Sequence, residues 1–197
     1  MISANTSSFA DPGRESQQVF RAAMRALAEP GKPVAFGVQI SAPAGLTSGA
    51  AALLLTLADF ETSVWLDAVA AERADISGYL KFHTGTRIVT EPDKANFALI
   101  TLAGRMPKLY DFAQGLPEYP DRSTTLIAET AAFNTTDWEC TGPGIVGTRM
   151  FGVAGVPSDF INFWEHNRLG FPLGVDILFV CGGQIAGLPR TTRLAEA

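Results

Sequence analysis

Four consecutive large apolar residues near the C-terminus, Ile177, Leu178, Phe179 and Val180, do most to restrict the fold. A run with no polar residue on either face reads as a strand buried on both sides, and such a strand needs a sheet covered on both sides. Phe171-Pro172-Leu173-Gly174-Val175-Asp176 leads into it and places a carboxylate at its entrance, while Gly182-Gly183 ends it. Gln184 to Leu188 reads as a second strand, after which Pro189 stiffens the backbone ahead of Arg190, Thr191, Thr192 and Arg193. Two guanidinium forks and two hydroxyls within four residues suit an anion such as phosphate. They also suit a solvated basic turn, the commoner fate of surface charge. Asp176, at the mouth of a buried strand, needs a partner, and Arg190 or Arg193 is within reach from the next turn. Two readings stay open: an ion pair that fixes the final hairpin, or an anion pocket whose arginines Asp176 orients.

The rest of the chain alternates helical and strand signals. Phe20, Ala23, Met24, Leu27 and Ala28 recur at helical spacing, and Pro30-Gly31 stops that helix. Residues 34–40 read as a strand. Ser48 reads as the cap of a helix through Leu53, Leu54, Leu55 and Leu57, apolar nearly all round and therefore central and covered. Strands are predicted at 62–66, 86–90 and 97–102, a short helix at 76–82 and a helical turn at 109–113. Residues 124–133 and 138–141 read as paired strands joined by Asn134-Thr135-Thr136-Asp137. Ser158 can cap a helix with Phe160, Phe163 and Trp164 on one face, closed by Gly170. Interleaved helices and strands predict an α/β fold, helices packed over a mixed sheet, with an antiparallel edge from the strand-rich end of the chain. No linker or repeat divides it, so residues 1–197 read as one domain, with 1–10 expected to be flexible.

These motifs, taken in order, resemble the PhnH family, a subunit of the bacterial carbon–phosphorus lyase system for phosphonate use. Phe-Pro-Leu-Gly-Val-Asp at 171–176 and Leu-Pro-Arg-Thr-Thr-Arg at 188–193 carry the resemblance most strongly. Residues 20–31, 53–59 with 62–66, Phe82-His83-Thr84-Gly85, Thr125-Leu126-Ile127 and Thr141-Gly142-Pro143-Gly144-Ile145 fall in the matching places. The resemblance implies a three-layer α/β sandwich with a mixed sheet, similar to the large domain of pyridoxal-phosphate-dependent transferases but without that cofactor. Lys32, Lys81, Lys94 and Lys108 are the lysines present, and none lies in a recognisable Schiff-base signature. The resemblance further implies an assembly that joins methylphosphonate to the ribose C1 of ATP with loss of adenine. It implies other lyase-core subunits as partners and a homodimer of the isolated subunit. It carries over no catalytic residue.

Composition narrows the alternatives. A chain of 197 residues that is 47% hydrophobic and 18% charged folds as a globule. A net charge of −5 argues against a broad nucleic-acid surface. Cys140 and Cys181 read as buried thiols of a reducing cytosol, and with His83 and His166 they form no zinc-type spacing, so no metal is expected. No basic-then-apolar leader opens the chain and no apolar run approaches a membrane span, so a cytoplasmic location away from membranes is expected.

Other candidate chemistry is weaker. Gly142-Pro143-Gly144-Ile145-Val146-Gly147 matches the spacing of a dinucleotide fingerprint, but a strand signal rather than a helix follows it, so it reads as a tight turn. Glu118 and Arg122, in the polar segment 118–123, are possible site-lining residues, although Pro and Asp alone would make that segment a solvated turn. His83 is a possible acid–base group or simply the cation at a helix C-terminus, and His166 reads as surface. Three functions follow: a subunit of the lyase core, a self-sufficient small-molecule transferase with a phosphate-binding site, or a structural module. Phe151, Phe160, Phe163, Trp164 and Phe171 would form the last one's interface, or fill the domain's own core.

Overall fold

The computed structural model describes residues 8–197, apart from the side chain of Thr135. The helices are α1 (Pro12–Ala28), α2 (Ser48–Leu57), α3 (Ala68–Ala71), α4 (Ala74–Thr84) and α5 (Phe160–Leu169). The first strands are β1 (Val34–Ala35), β2 (Ser63–Leu66), β3 (Arg87–Val89), β4 (Phe97–Ile100), β5 (Gln114–Leu116) and β6 (Tyr119–Ser123). They are followed by β7 (Thr125–Glu129), β8 (Phe133–Thr141), β9 (Arg149–Val153), β10 (Asp176–Cys181), β11 (Gln184–Leu188) and β12 (Arg193–Glu196).

Seven strands form one mixed sheet in the order β1-β11-β10-β7-β4-β2-β3. β10, β7, β4, β2 and β3 run parallel, while β11 and β1 close one side antiparallel. The antiparallel edge expected from the end of the chain is therefore present. Side chains alternate across this sheet. Leu99, Ile127, Leu178, Val180 and Ile185 point to a core shared with α1, α2 and α4. Ala98, Ile100, Leu126, Ala128, Ile177 and Phe179 point the other way, onto Trp138, Phe151, Phe160 and Trp164. The second face is thus covered by α5 and by a small antiparallel sheet, β12-β8-β9, rather than by helices alone. The unbroken apolar run in β10 follows from this double coverage. Phe151, Phe160 and Trp164 fill the domain's own core, whereas Phe171 is exposed.

Five local expectations are corrected. The buried stripe of α1 is Val19, Ala22, Ala23 and Ala26, one position off the predicted face, leaving Phe20 and Met24 exposed. The cause is close approach: a Cβ added to Gly187 of β11 would lie 2.5 Å from the Ala26 carbonyl oxygen. Only the alanine face of α1 fits so near the sheet. Within 34–40, only two residues pair, because Gly37 takes a left-handed backbone (φ +63°) and Ile40 N–H donates to Ser48 Oγ. With Ser48 so engaged, Thr47 caps α2, and α5 is preceded by Asp159 rather than capped by Ser158. β7 and β8 do not pair with each other: β7 lies between β4 and β10, and the segment read as their connecting loop is the irregular middle of β8. Sequence adjacency favours a hairpin, but β7 is apolar on both faces and belongs in the covered sheet.

The sequence 142–147 is a turn from β8 into β9, with no helix after it. Its Gly144 has positive φ and packs where an added Cβ would collide with the Ala28 carbonyl. The expectation for residues 1–7 lies outside the described residues, while Phe9 is buried in the first core cluster. Replacing Gly187 by Ala is expected to destabilise the chain by about 2 kcal/mol through overpacking against α1. Gly78→Ala in α4, where a Cβ meets nothing within 4 Å, should be neutral or stabilising by up to about 1 kcal/mol. Urea unfolding of the two variants checks both signs.

Candidate functional site at the carboxyl ends of the parallel strands

The predicted C-terminal residues separate into distinct surroundings. Arg190 and Asp176 form a dense polar cluster. Arg190 Nη2 donates to Asp176 Oδ2 at 2.6 Å, Nε to Oδ1 at 3.1 Å, and the Arg190 backbone N–H to Oδ1 at 2.7 Å. Nη1 donates to the carbonyls of Pro120 and Pro172, and Nη2 also to Ser123 Oγ. An arginine side chain has five N–H donors, and all are used inside the protein. The geometry therefore favours the ion-pair reading: Arg190 orients nothing outward and holds β10, the β5–β6 hairpin and the turn at Pro172 together. Thr192 is fully buried and its carbonyl accepts from Trp164 Nε1 at 2.8 Å. Thr191 is half-buried, and Arg193 is exposed on β12 beside Glu139, Glu165 and Arg168. Arg193 shares no contact with Asp176, so the set 176, 190–193 does not converge on one pocket.

The other candidates are equally dispersed. His83 sits in the last turn of α4 with its ring against Tyr79 and Phe82, and among the described residues no carboxylate bonds it. Glu118 lies exposed in the β5–β6 turn, and Arg122 covers the exposed Tyr119 ring at 4.2 Å. The segment 118–123 is mostly strand, not loop. His166 is exposed on α5. Cys140 is buried, which pushes its thiol up to about 11, while Cys181 is half-buried. Among the described residues no group of three or more His, Cys, Asp or Glu could hold a metal ion.

The opposite rim of the sheet carries a site that no sequence motif announced. β2 is followed by a connection towards β3, and β4 by one towards β7, so the chain diverges between β2 and β4. In open α/β sheets such a switch point, at the carboxyl ends of the strands, forms a crevice that binds ligands. Asp67 follows β2, Thr101 follows β4, and Glu129 ends β7. Asp67 is buried and fully used: Oδ1 accepts from Ala70 N–H to cap α3, and Oδ2 accepts from Thr101 N–H and Oγ1, each at 2.8 Å. Glu129 is also buried, and its Oε1 accepts from Thr47 N–H at 2.9 Å and Thr47 Oγ1 at 2.7 Å at the start of α2. Burial holds the Glu129 carboxyl above the usual glutamate range; the Thr47 bonds oppose this and the nearby Asp67 charge adds to it. An open cleft of roughly 500 Å³ lies over Thr47, Thr101 and Glu129, lined by Gly45, Leu46, Val69, Leu102 and Arg105 as well.

Residues 7–195 match the family described as bacterial phosphonate metabolism protein (PhnH). The chain belongs to the PhnH family. It is 36% identical over 187 residues, 94% of this chain and 93% of the relative, to the alpha-D-ribose 1-methylphosphonate 5-triphosphate synthase subunit PhnH of Rhizobium meliloti (strain 1021). It is 32% identical over 81 residues, 41% of this chain and 42% of the relative, to the putative C-P lyase subunit protein HtxG of Stutzerimonas stutzeri. In this PhnH-family chain the two turn motifs at 171–176 and 188–193 have structural work: Asp176 meets Arg190, and Asn167 of α5 exchanges hydrogen bonds with both backbone groups of Val175.

Glu129 gives a pH test. The folded chain binds this proton more tightly than the unfolded chain, so the group favours the fold at low pH. That contribution is lost as pH rises above the unfolded-state value and through the raised folded one. Carbon-13 titration should place the Glu129 carboxyl above ordinary glutamates, and Thr47→Val should raise it further. A midpoint in the ordinary range would show that burial does not govern this group.

Proposed function

We propose that this chain is a subunit of a carbon–phosphorus lyase core that makes α-D-ribose 1-methylphosphonate 5-triphosphate from ATP and methylphosphonate, releasing adenine. The observation that carries the reading is the match along 94% of the chain to a relative named as a subunit of that synthase. The other core subunits are its partners, and the chain is not catalytic alone. It supports the assembly from the cytoplasm, as a single domain, and forms a homodimer when isolated. No helix among the described residues is long and apolar enough to cross a membrane.

The fold is read as kin to the large domain of pyridoxal-phosphate-dependent transferases. That cofactor does not fit the residues present: Lys32, Lys81, Lys94 and Lys108 are all exposed, and none lines the cleft. Within the C-terminal motif, Thr191 and Arg193 are the groups left for an anion, since the donors of Arg190 are taken. The carboxyl-end cleft is the feature that favours the alternative, a self-sufficient small-molecule transferase.

Reconstitution separates these. Co-expression with the other core subunits should yield a stable assembly containing this chain, seen by mass. Its omission should stop adenine release from ATP plus methylphosphonate. A chain that stays apart and whose omission changes nothing contradicts the subunit reading, and turnover by the isolated chain would establish the transferase.

A further inference from the structure

Five large apolar residues lie half exposed or more around the Asp176–Arg190 pair: Tyr110 at 63%, Leu116 at 51%, Tyr119 at 49%, Leu169 at 67% and Phe171 at 61%. The local bonds make them neighbours. Arg190 Nη1 donates to the carbonyls of both Pro120 and Pro172, which sets the turn after Phe171 against β6. Leu116 stands opposite Tyr119 in the β5–β6 ladder. Gly174 N–H donates to the Gln114 carbonyl and Gln114 Nε2 to the Leu109 carbonyl, which brings Tyr110 to the same side. Tyr110 shares a hollow of roughly 280 Å³ with Gln114, Phe163, His166 and Asn167. Leu169 lies one turn of α5 beyond His166.

At about 200 Å² for a fully exposed aromatic side chain, this band exposes on the order of 500 Å² of apolar surface. A contiguous patch of that size marks a contact surface. It is more than half of the about 800 Å² that each partner of a stable dimer buries. The hollow is smaller than the about 300–1,000 Å³ of small-molecule sites and takes one side chain. Phe171, exposed in the same band, is such a side chain. Glu118, Asp121 and Arg122 are exposed on the β5–β6 hairpin, without ion-pair partners among the described residues. A surface that carries knob, hollow and both signs of charge complements itself, as a two-fold contact between identical chains requires. A small ligand would leave the apolar band uncovered.

We propose that this band is a two-fold interface between two copies of the chain. Phe171 of one copy enters the hollow beside Tyr110 of the other, and Arg122 faces Glu118 or Asp121 across the axis. This rests on the reading of the isolated chain as a homodimer and adds the surface.

Sedimentation equilibrium of the full-length chain tests it. The unaltered chain should be a dimer at about 10 μM. Leu169→Asp and Phe171→Asp should each raise the dimer dissociation constant about thirtyfold or more. Leu102→Asp, at the carboxyl ends of the strands, should leave it within about twofold. Arg122→Glu should weaken the dimer about tenfold, and adding Glu118→Arg with Asp121→Arg should restore it, because the pairs re-form with their signs exchanged. These three charged residues are exposed, so that comparison decides if an apolar variant does not fold. A monomer throughout overturns the interface and the homodimer reading together. A dimer that survives the folded apolar variants and the charge reversal, or one that Leu102→Asp dissociates, overturns the interface alone. Variants that stay dimeric but no longer join the other core subunits give the band to one of those subunits and overturn it as well. None of these results decides whether omission of the chain stops adenine release.

Discussion

The Asp176–Arg190 pair is the joint on which the two cores meet. One guanidinium binds the entrance of β10, the hairpin β5–β6 and the turn at Pro172, and its own backbone N–H returns to the same carboxylate. Both side chains are largely withdrawn from water, at 11% and 22% exposure. A charge taken that far out of solvent must be matched, and here every donor is matched in a bidentate, planar arrangement. Beside it, Asn167 joins α5 to Val175 and Trp164 joins α5 to Thr192. The second layer is thus pinned to the sheet at one end of β10 by directional bonds, and the aromatic cluster of Trp138, Phe160 and Trp164 fills in behind them.

This arrangement divides the sheet into two rims. Asp176 begins β10, so the clamp lies at the amino ends of the parallel strands. Asp67, Thr101 and Glu129 lie at the carboxyl ends, over the point where the connections diverge. At the clamp rim every donor of Arg190 is satisfied by the protein, while the buried Thr192 hydroxyl has no partner among the described residues. At the other rim, among the described residues, Glu129 Oε2 accepts no hydrogen bond and Arg105 has no acidic partner. Unused polar capacity at a switch point marks where chemistry outside the chain can be met.

Much of the fold is legible in the sequence, where the signal is local. The run 177–180 requires double coverage, the apolar α2 requires a central place, and the missing helix after Gly147 excludes a dinucleotide site. Apolar size points to Phe20 and Met24 as the buried face of α1, whereas the approach to Gly187 selects alanines. The carboxyl-end cleft was invisible because Asp67, Thr101 and Glu129 are far apart in the chain. Only the parallel order β2-β4-β7 brings them together. Asp67 directly follows the apolar strand β2 and Glu129 closes the apolar strand β7, and a carboxylate at a strand's carboxyl end is the one local sign in the sequence. The conspicuous arginine in the C-terminal motif drew attention to an anion, but its fork is filled by Asp176.

The central claim is that the C-terminal arginine is a clamp of the fold. A double-mutant cycle in urea with Asp176→Ala, Arg190→Ala and the pair tests it most directly. Each single change should cost about 3 kcal/mol by leaving a buried partner unmatched, and the double change should cost much less than the sum. An Arg190→Ala chain that unfolds at the unaltered midpoint would contradict the account and return Arg190 to the ligand.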